Sequence, residues 1–517
     1  MGGEFASHTR KTGFIICYHN ELHPSVMPQI SFQPYLRPAL LEVSGCKDFR
    51  EERDLFIRID QILTCSGIEY EFIELSIQER HLNFEKMSQA QQNYFYRGCT
   101  MALRGNIARL IKNLSHREFC KLLPDSTILR WFLGIERLDG IKSYAKSTSD
   151  RFCHWLSGDS LQHINARLIT LLSQAADDEN FNLETPPDFE QVYFDSTCLK
   201  ADIHFPVDWV LLRDLTRTLM KATVIIRREG LRNRMPQEPL DFLSDMNSLV
   251  MKMTATNRVK GGKQKRKNVL REMKALGKRV AIHAKKHIEL LERRGQEISL
   301  SPGRIKELKE RLEGVLKQVS PAINQAHERL IGERIVDNKD KILSLYDSEV
   351  EVLVRGKSNA QVEFGNKLWL GESEQGFIVD YLLERNQTSD AKHVLPAIER
   401  LRKIQDLPVK KVWGDRGLSS ASNTKALKKQ DIYDGLCPKN VQELQIRLKE
   451  EPSMRFGLKR RAGTEARISI LLKNFMGDKP RSKGFKHRQM MTGWAVFTHN
   501  LWVLARLPQK KAEAQAA

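Results

Sequence analysis

Three acidic residues stand where a divalent-cation phosphodiester site needs them: Asp195 in VYFDST, Asp415 in VWGDRG and Glu465 in RAGTEARISIL. Each aspartate follows a short apolar run that reads as a buried strand and precedes a turn. That position is the C-terminal lip of a sheet, where open α/β sheets receive their ligands. Glu465 is expected to open a helix whose apolar Ile468, Leu471, Leu472 and Phe475 recur at helical spacing, and to share that buried face. Three carboxylates converging on one point repel unless cations sit among them. Two Mg²⁺ or Mn²⁺ ions about 3.5–4 Å apart can clamp the attacking and leaving oxygens of an in-line displacement at phosphorus. The chemistry implied is phosphoryl transfer. Taken singly, each acid has a plainer role. Asp195 would be a strand-end turn former beside Ser196 and Thr197, Asp415 the turn residue of GDRG, and Glu465 a first-turn residue favoured by the helix dipole.

The elements that must position these residues belong to a chain of 517 residues with a net charge of +20. Such an excess attracts polyanions and gives salt-dependent, sequence-independent affinity, so DNA is the expected partner. No run approaches the roughly 20 apolar residues of a membrane span, and no signal-peptide pattern opens the chain, so no membrane partner and a cytoplasmic location are expected. The eight cysteines are scattered without a CxxC pair, which argues against a zinc site or a disulfide framework. Cys198, close to Asp195, is read as packing, because no His–Asx partner pattern supports a nucleophile.

The fold class expected is α/β in the mixed α+β sense. QVYFDST, EVEVLVRG, AQVEFGNKLWLG, GFIVDYLLER and VKKVWGD read as strands, with a helix through DAKHVLPAIERLRKI before the last. Strand, hairpin, helix, strand, helix in one sheet is the element order of a ribonuclease-H-like core. Asp380, within FIVDYLL, is a fourth acid that the site does not use. Residues 1–86 are expected to be a poorly defined extension. Residues 87–185 are expected to form a helical DNA-binding domain, with Ser115 and Ser126 as N-caps, Gly134 as a stop, and a capping box at Ser147–Asp150. Residues 186–510 would form the catalytic domain, interrupted at about 209–335 by a helical basic insertion. In that insertion two apolar heptad-like runs, Val269–Leu291 and Ile305–Val319, read as an antiparallel helical hairpin.

The approach to the hairpin is the densest basic run, RVKGGKQKRKNVLR, with Lys260, Lys263, Lys265, Arg266 and Lys267. Between 252 and 294 there are fifteen Lys and Arg against three Glu and no Asp. A solvated face with balanced ion pairs does not explain that excess, and phosphate contact does.

Four blocks carry a resemblance: FDSTCLKADIHFPVDWVLL, VEFGNKLWLGESEQGFIVDYLLERN, VWGDRGLSS, and RAGTEARISILLKNFMG with SKGFKHRQMMTGWAVFTHNLWVLARL. In this order they resemble the DDE transposases of bacterial insertion sequences, over roughly 189–507. SHREFCKLLPDSTILRWFLGIERLD is similar to that family's N-terminal DNA-binding region. The resemblance implies a ribonuclease-H-like fold that cuts transposon ends and joins the freed 3′-OH to target DNA. It implies that Asp195, Asp415 and Glu465 hold two Mg²⁺ or Mn²⁺ ions. Arg461, four residues before the Glu, matches a family arginine. The family lysine falls at Leu472, with Lys473 one place on as its stand-in. The DNA would be the terminal inverted repeats and the target, bound by a homodimer in a bacterial, nucleoid-associated setting. The competing readings are a catalytically inactive DNA-binding relic and a metal-dependent nuclease without strand transfer.

Overall fold

The fold comes from a computed structural model of the chain, which describes residues 39–510 apart from 41, 43, 136–142, 175–180, 257–258, 358–359 and 478–482. Most of the expected extension, residues 1–38, therefore lies outside the described residues, as do Lys142 and the tail from 511. The chain forms two compact units, one of residues 1–188 with 497–517 and the other of 189–496.

In the first unit, residues 47–79 depart from the unstructured extension expected there. Lys47–Cys65 and Ile68–Glu79 are helices, and they bury Phe56, Ile59, Ile62, Leu63, Ile68 and Phe72. Acidic and basic residues interleave with these apolar positions, which hides the periodicity in the sequence. Five further helices run from Gln89 to Gln174. Ser115 and Ser126 cap helices as expected, accepting from the N–H groups of Glu118 and Leu129, and Gly134 closes one in the left-handed region at φ 64°. The capping box expected at Ser147–Asp150 is absent. The helix there starts at Lys146 and those residues lie inside it, with Ser149 hydrogen-bonded to the His116 ring at 2.9 Å.

The second unit is built on a six-stranded mixed sheet. Its strands are β1 (Gln191–Lys200), β2 (Glu351–Lys357), β3 (Ala360–Ser373), β4 (Ile378–Leu383), β5 (Lys411–Gly414) and β6 (Tyr433–Leu436). β1 is central. Long β3 runs antiparallel to it, with β2 and β4 both along the far edge of β3, and β5 and β6 follow in parallel on the other side. β6 was not anticipated, because YDGL is short and contains residues disfavoured in strands. Helix Pro452–Ile470 crosses one face over Tyr193 and Trp413, whose rings stack at 6.1 Å. A Cβ at Gly457 would lie 2.2 Å from the Trp413 ring, so the absence of a side chain there is what lets the helix seat.

The insertion is larger than a hairpin. Helices Gly262–Arg294 and Pro302–Leu330 pack against each other and against Asp208–Arg228, and Pro239–Ala255 joins them to complete a four-helix bundle. Its core includes Leu215, Leu219, Phe242, Met246, Met273, Val280, Leu312 and Ala326, all fully buried. Burying a Leu, Phe or Met stabilises by about 1.5–3 kcal/mol each, so these side chains are what hold the four helices together.

Candidate active site

β1 and β5 are in parallel register with Tyr193 opposite Trp413. Asp195 and Asp415 each stand two residues further on, beyond the last paired rung, Asp195 still inside β1 and Asp415 just past the end of β5. Asp195 is half-buried; its Oδ1 accepts the Ser196 N–H at 2.7 Å, and its Oδ2 lies 3.5 Å from an Arg461 amine nitrogen. Burial pushes the Asp195 carboxyl up, Arg461 pulls it down, and the negative charges of Asp415 and Glu465 push it up again. The net direction for Asp195 is upward. Asp415 also does what its turn requires, accepting the Gly417 N–H at 2.9 Å.

Glu465 differs from the expectation in two respects. Its helix begins at Pro452, so Glu465 lies well inside it and gains no first-turn dipole. The buried positions are Thr464 and Ile468, while Glu465 itself is exposed. The helix is held to the sheet by a residue the sequence did not mark. Arg460 donates to Glu372 Oε1 at 2.9 Å and to the Glu374 carbonyl at 2.6 Å, and its guanidinium lies 4.8 Å from the Tyr193 ring. Tyr193 in turn donates to Glu374 at 2.5 Å. Arg461 and Glu465 follow Arg460 along this clamped helix. Lys473 is exposed on a π-helical turn, Leu471–Phe475, that continues it.

Carboxylate oxygens alone, partly desolvated, are the donor set a hard divalent cation takes. They are not gathered to ligand distance: among the described residues no group of three or more His, Cys, Asp and Glu is placed to hold an ion. The positive charge beside Asp195 is that of Arg461. Asp380 is structural. It is buried, clamped by Arg400 at 2.8 and 2.7 Å, and accepts the Trp369 indole N–H at 3.2 Å.

The basic run is divided. Lys260 and Lys265 are exposed at the start of the long bundle helix. Lys263 and Lys267 pair with Glu333 at 2.6 and 2.7 Å, and these two hydrogen bonds pull the Glu333 carboxyl down to about 2. Two lysines of the run are thus ion-paired, though by one glutamate between them, so the pairing does not balance the excess charge expected to meet phosphate. Glu333 is distant in sequence, which is why local charge counting missed it. Arg266 is partly buried in the same turn. Among the described residues no helix is long and apolar enough to cross a membrane. Compared with protein-family models, with curated proteins and with solved structures, the chain has no match.

Proposed function

We propose that the chain is a DNA transposase, cleaving phosphodiester bonds at transposon ends and transferring the 3′-OH to target DNA. The observation that carries this reading is the placement of Asp195 within the central strand β1 and of Asp415 just past the end of its parallel neighbour β5, beside the helix that bears Arg461 and Glu465. A central strand flanked by an antiparallel hairpin on one side and two parallel strands on the other agrees with a ribonuclease-H-like core. A charge of +20 supports DNA as the substrate.

In this reading Asp195, Asp415 and Glu465 are the residues that would hold two Mg²⁺ or Mn²⁺ ions. Such ions, when bound, lower the pKa of the attacking water or 3′-OH and stabilise the leaving oxygen. Arg461 would move from Asp195 to a phosphate, a role suited to its forked donors. A π turn admits an extra residue. Lys473, exposed on this turn, would stand in for the lysine that the resemblance expects at Leu472 and contact a phosphate. Lys260 and Lys265, with Lys263, Arg266 and Lys267, would track the DNA backbone. No covalent protein–DNA intermediate is needed, so no Ser or Tyr nucleophile is assigned. Pairing two terminal repeats requires at least a dimer on DNA.

The test is a strand-transfer assay with a pre-cleaved end oligonucleotide and a target plasmid, in Mn²⁺, for wild type and Glu465→Gln. Joined products from wild type alone are expected. Plasmid nicking without joining would move the reading to a nuclease, and tight end binding with neither product to an inactive relic.

A further inference from the structure

Beyond Tyr193 the β1 ladder is one-sided: its rungs to β5 stop at Tyr193, while those to β3 continue to Lys200. Asp195 lies on this half-supported stretch. The neighbouring side chain, Ser196, points to the opposite face of the sheet from Asp195, as alternation along a strand requires. There its hydroxyl donates to Asp390 Oδ2 at 3.0 Å. Asp390 opens the short turn after β4, and its other oxygen accepts from Lys367 Nζ at 2.7 Å. Lys367 stands opposite Cys198 on β3 and is buried, 8% exposed. Its ammonium also donates to the Thr388 carbonyl and lies 3.3 Å from Glu384. Glu384 is closed off in turn by His393, whose Nε2 lies 2.5 Å away and whose ring packs 5.2 Å from that of Trp369. A lysine is seldom buried unless paired, and this one ties β3, the loop following β4 and the end of β1 into one charged network.

We infer that Lys367 and Asp390 are positioning residues for Asp195: through the Ser196 hydroxyl they hold the half of β1 that only β3 supports, from the face opposite the site. Neither side chain reaches the carboxylates themselves. The inference rests on the reading of Asp195 as a cation-holding carboxylate, but the mechanical part is separable from it. Carboxylates that are to hold ions must be fixed within a few tenths of an ångström, and such fixing comes from hydrogen-bonded residues behind them.

The experiment is hydrogen–deuterium exchange on the full chain, together with Mn²⁺ titration followed by electron paramagnetic resonance. Ser196→Ala removes one hydrogen bond to a carboxylate and keeps the backbone N–H that faces Asp195. It serves where Lys367→Met, which leaves Asp390 and Glu384 short of a cation, fails to fold. Exchange over 194–200 is expected to rise roughly tenfold in Ser196→Ala while the bundle helix 262–294 is unchanged, the ratio that corresponds to losing one charged hydrogen bond. Mn²⁺ affinity is expected to fall in parallel. Unchanged protection over 194–200 would overturn the positioning role, whatever the metal data. Raised exchange with no Mn²⁺ binding even in wild type would leave the strand clamp standing and overturn the metal reading.

Discussion

At the residue scale the site is a problem of like charges. The Asp195 carboxyl is raised by burial and by Asp415 and Glu465, with Arg461 opposing. The folded chain therefore holds the Asp195 proton more tightly than the unfolded chain does. Its contribution to stability is greatest below the unfolded carboxylate pKa and is lost as pH rises through the raised folded value. Asp195→Asn should melt at a higher temperature than wild type at neutral pH, with the gap closing as the pH falls into the carboxylate range. A variant that melts at or below wild type at pH 7 would mean that Arg461 outweighs the repulsion. Asp415 was legible because it ends an apolar run at a turn, a local pattern; the same pattern marked Asp195, but β1 runs on to Lys200 and Asp195 stands inside the strand, with no turn after it. The exposure of Glu465 was not legible, since its helix starts at Pro452, upstream of the apolar spacing that betrayed it.

At the element scale, the position of helix Pro452–Ile470 decides where Arg461 and Glu465 stand. That position depends on Arg460, which pairs with the buried Glu372 across a large sequence separation. Arg460→Met leaves Glu372 with only Arg467, at 3.5 Å. The expected loss is about 3 kcal/mol in urea unfolding of the second unit. A loss under about 1 kcal/mol, the range of a solvent-exposed ion pair, would show that the helix is seated by Gly457 and Trp413 alone. The strands were readable from alternation and apolar runs, as were the two bundle helices with heptad-like spacing. The clamp at Arg460, the Lys367 network and the short strand β6 were not, because each is defined by partners that only the folded sheet brings together.

At the scale of the whole molecule, the charge of +20 is unevenly committed. Part of the basic run is compensated internally, with Lys263 and Lys267 holding Glu333 between them. Phosphate contact should therefore fall mainly to their exposed neighbours. Lys260→Ala and Lys265→Ala are each expected to reduce the slope of log affinity against log salt by about 1. Glu333→Gln should increase DNA affinity at low salt by releasing two cations. Unchanged slopes in both lysine variants, measured by fluorescence anisotropy on duplex DNA, would remove the run from the interface. Net charge and its clustering were plain in the sequence; the internal neutralisation was not, because Glu333 follows the second hairpin helix.

The most direct measurement is cleavage of a supercoiled plasmid carrying the element's own flanking ends, in Mg²⁺ or Mn²⁺, with wild type beside Asp415→Asn. Cuts at the ends by wild type, lost in the variant while DNA binding is retained, are the expected result. Equal cutting by the two proteins, or none by wild type with end binding intact, would contradict a catalytic site built on Asp195, Asp415 and Glu465.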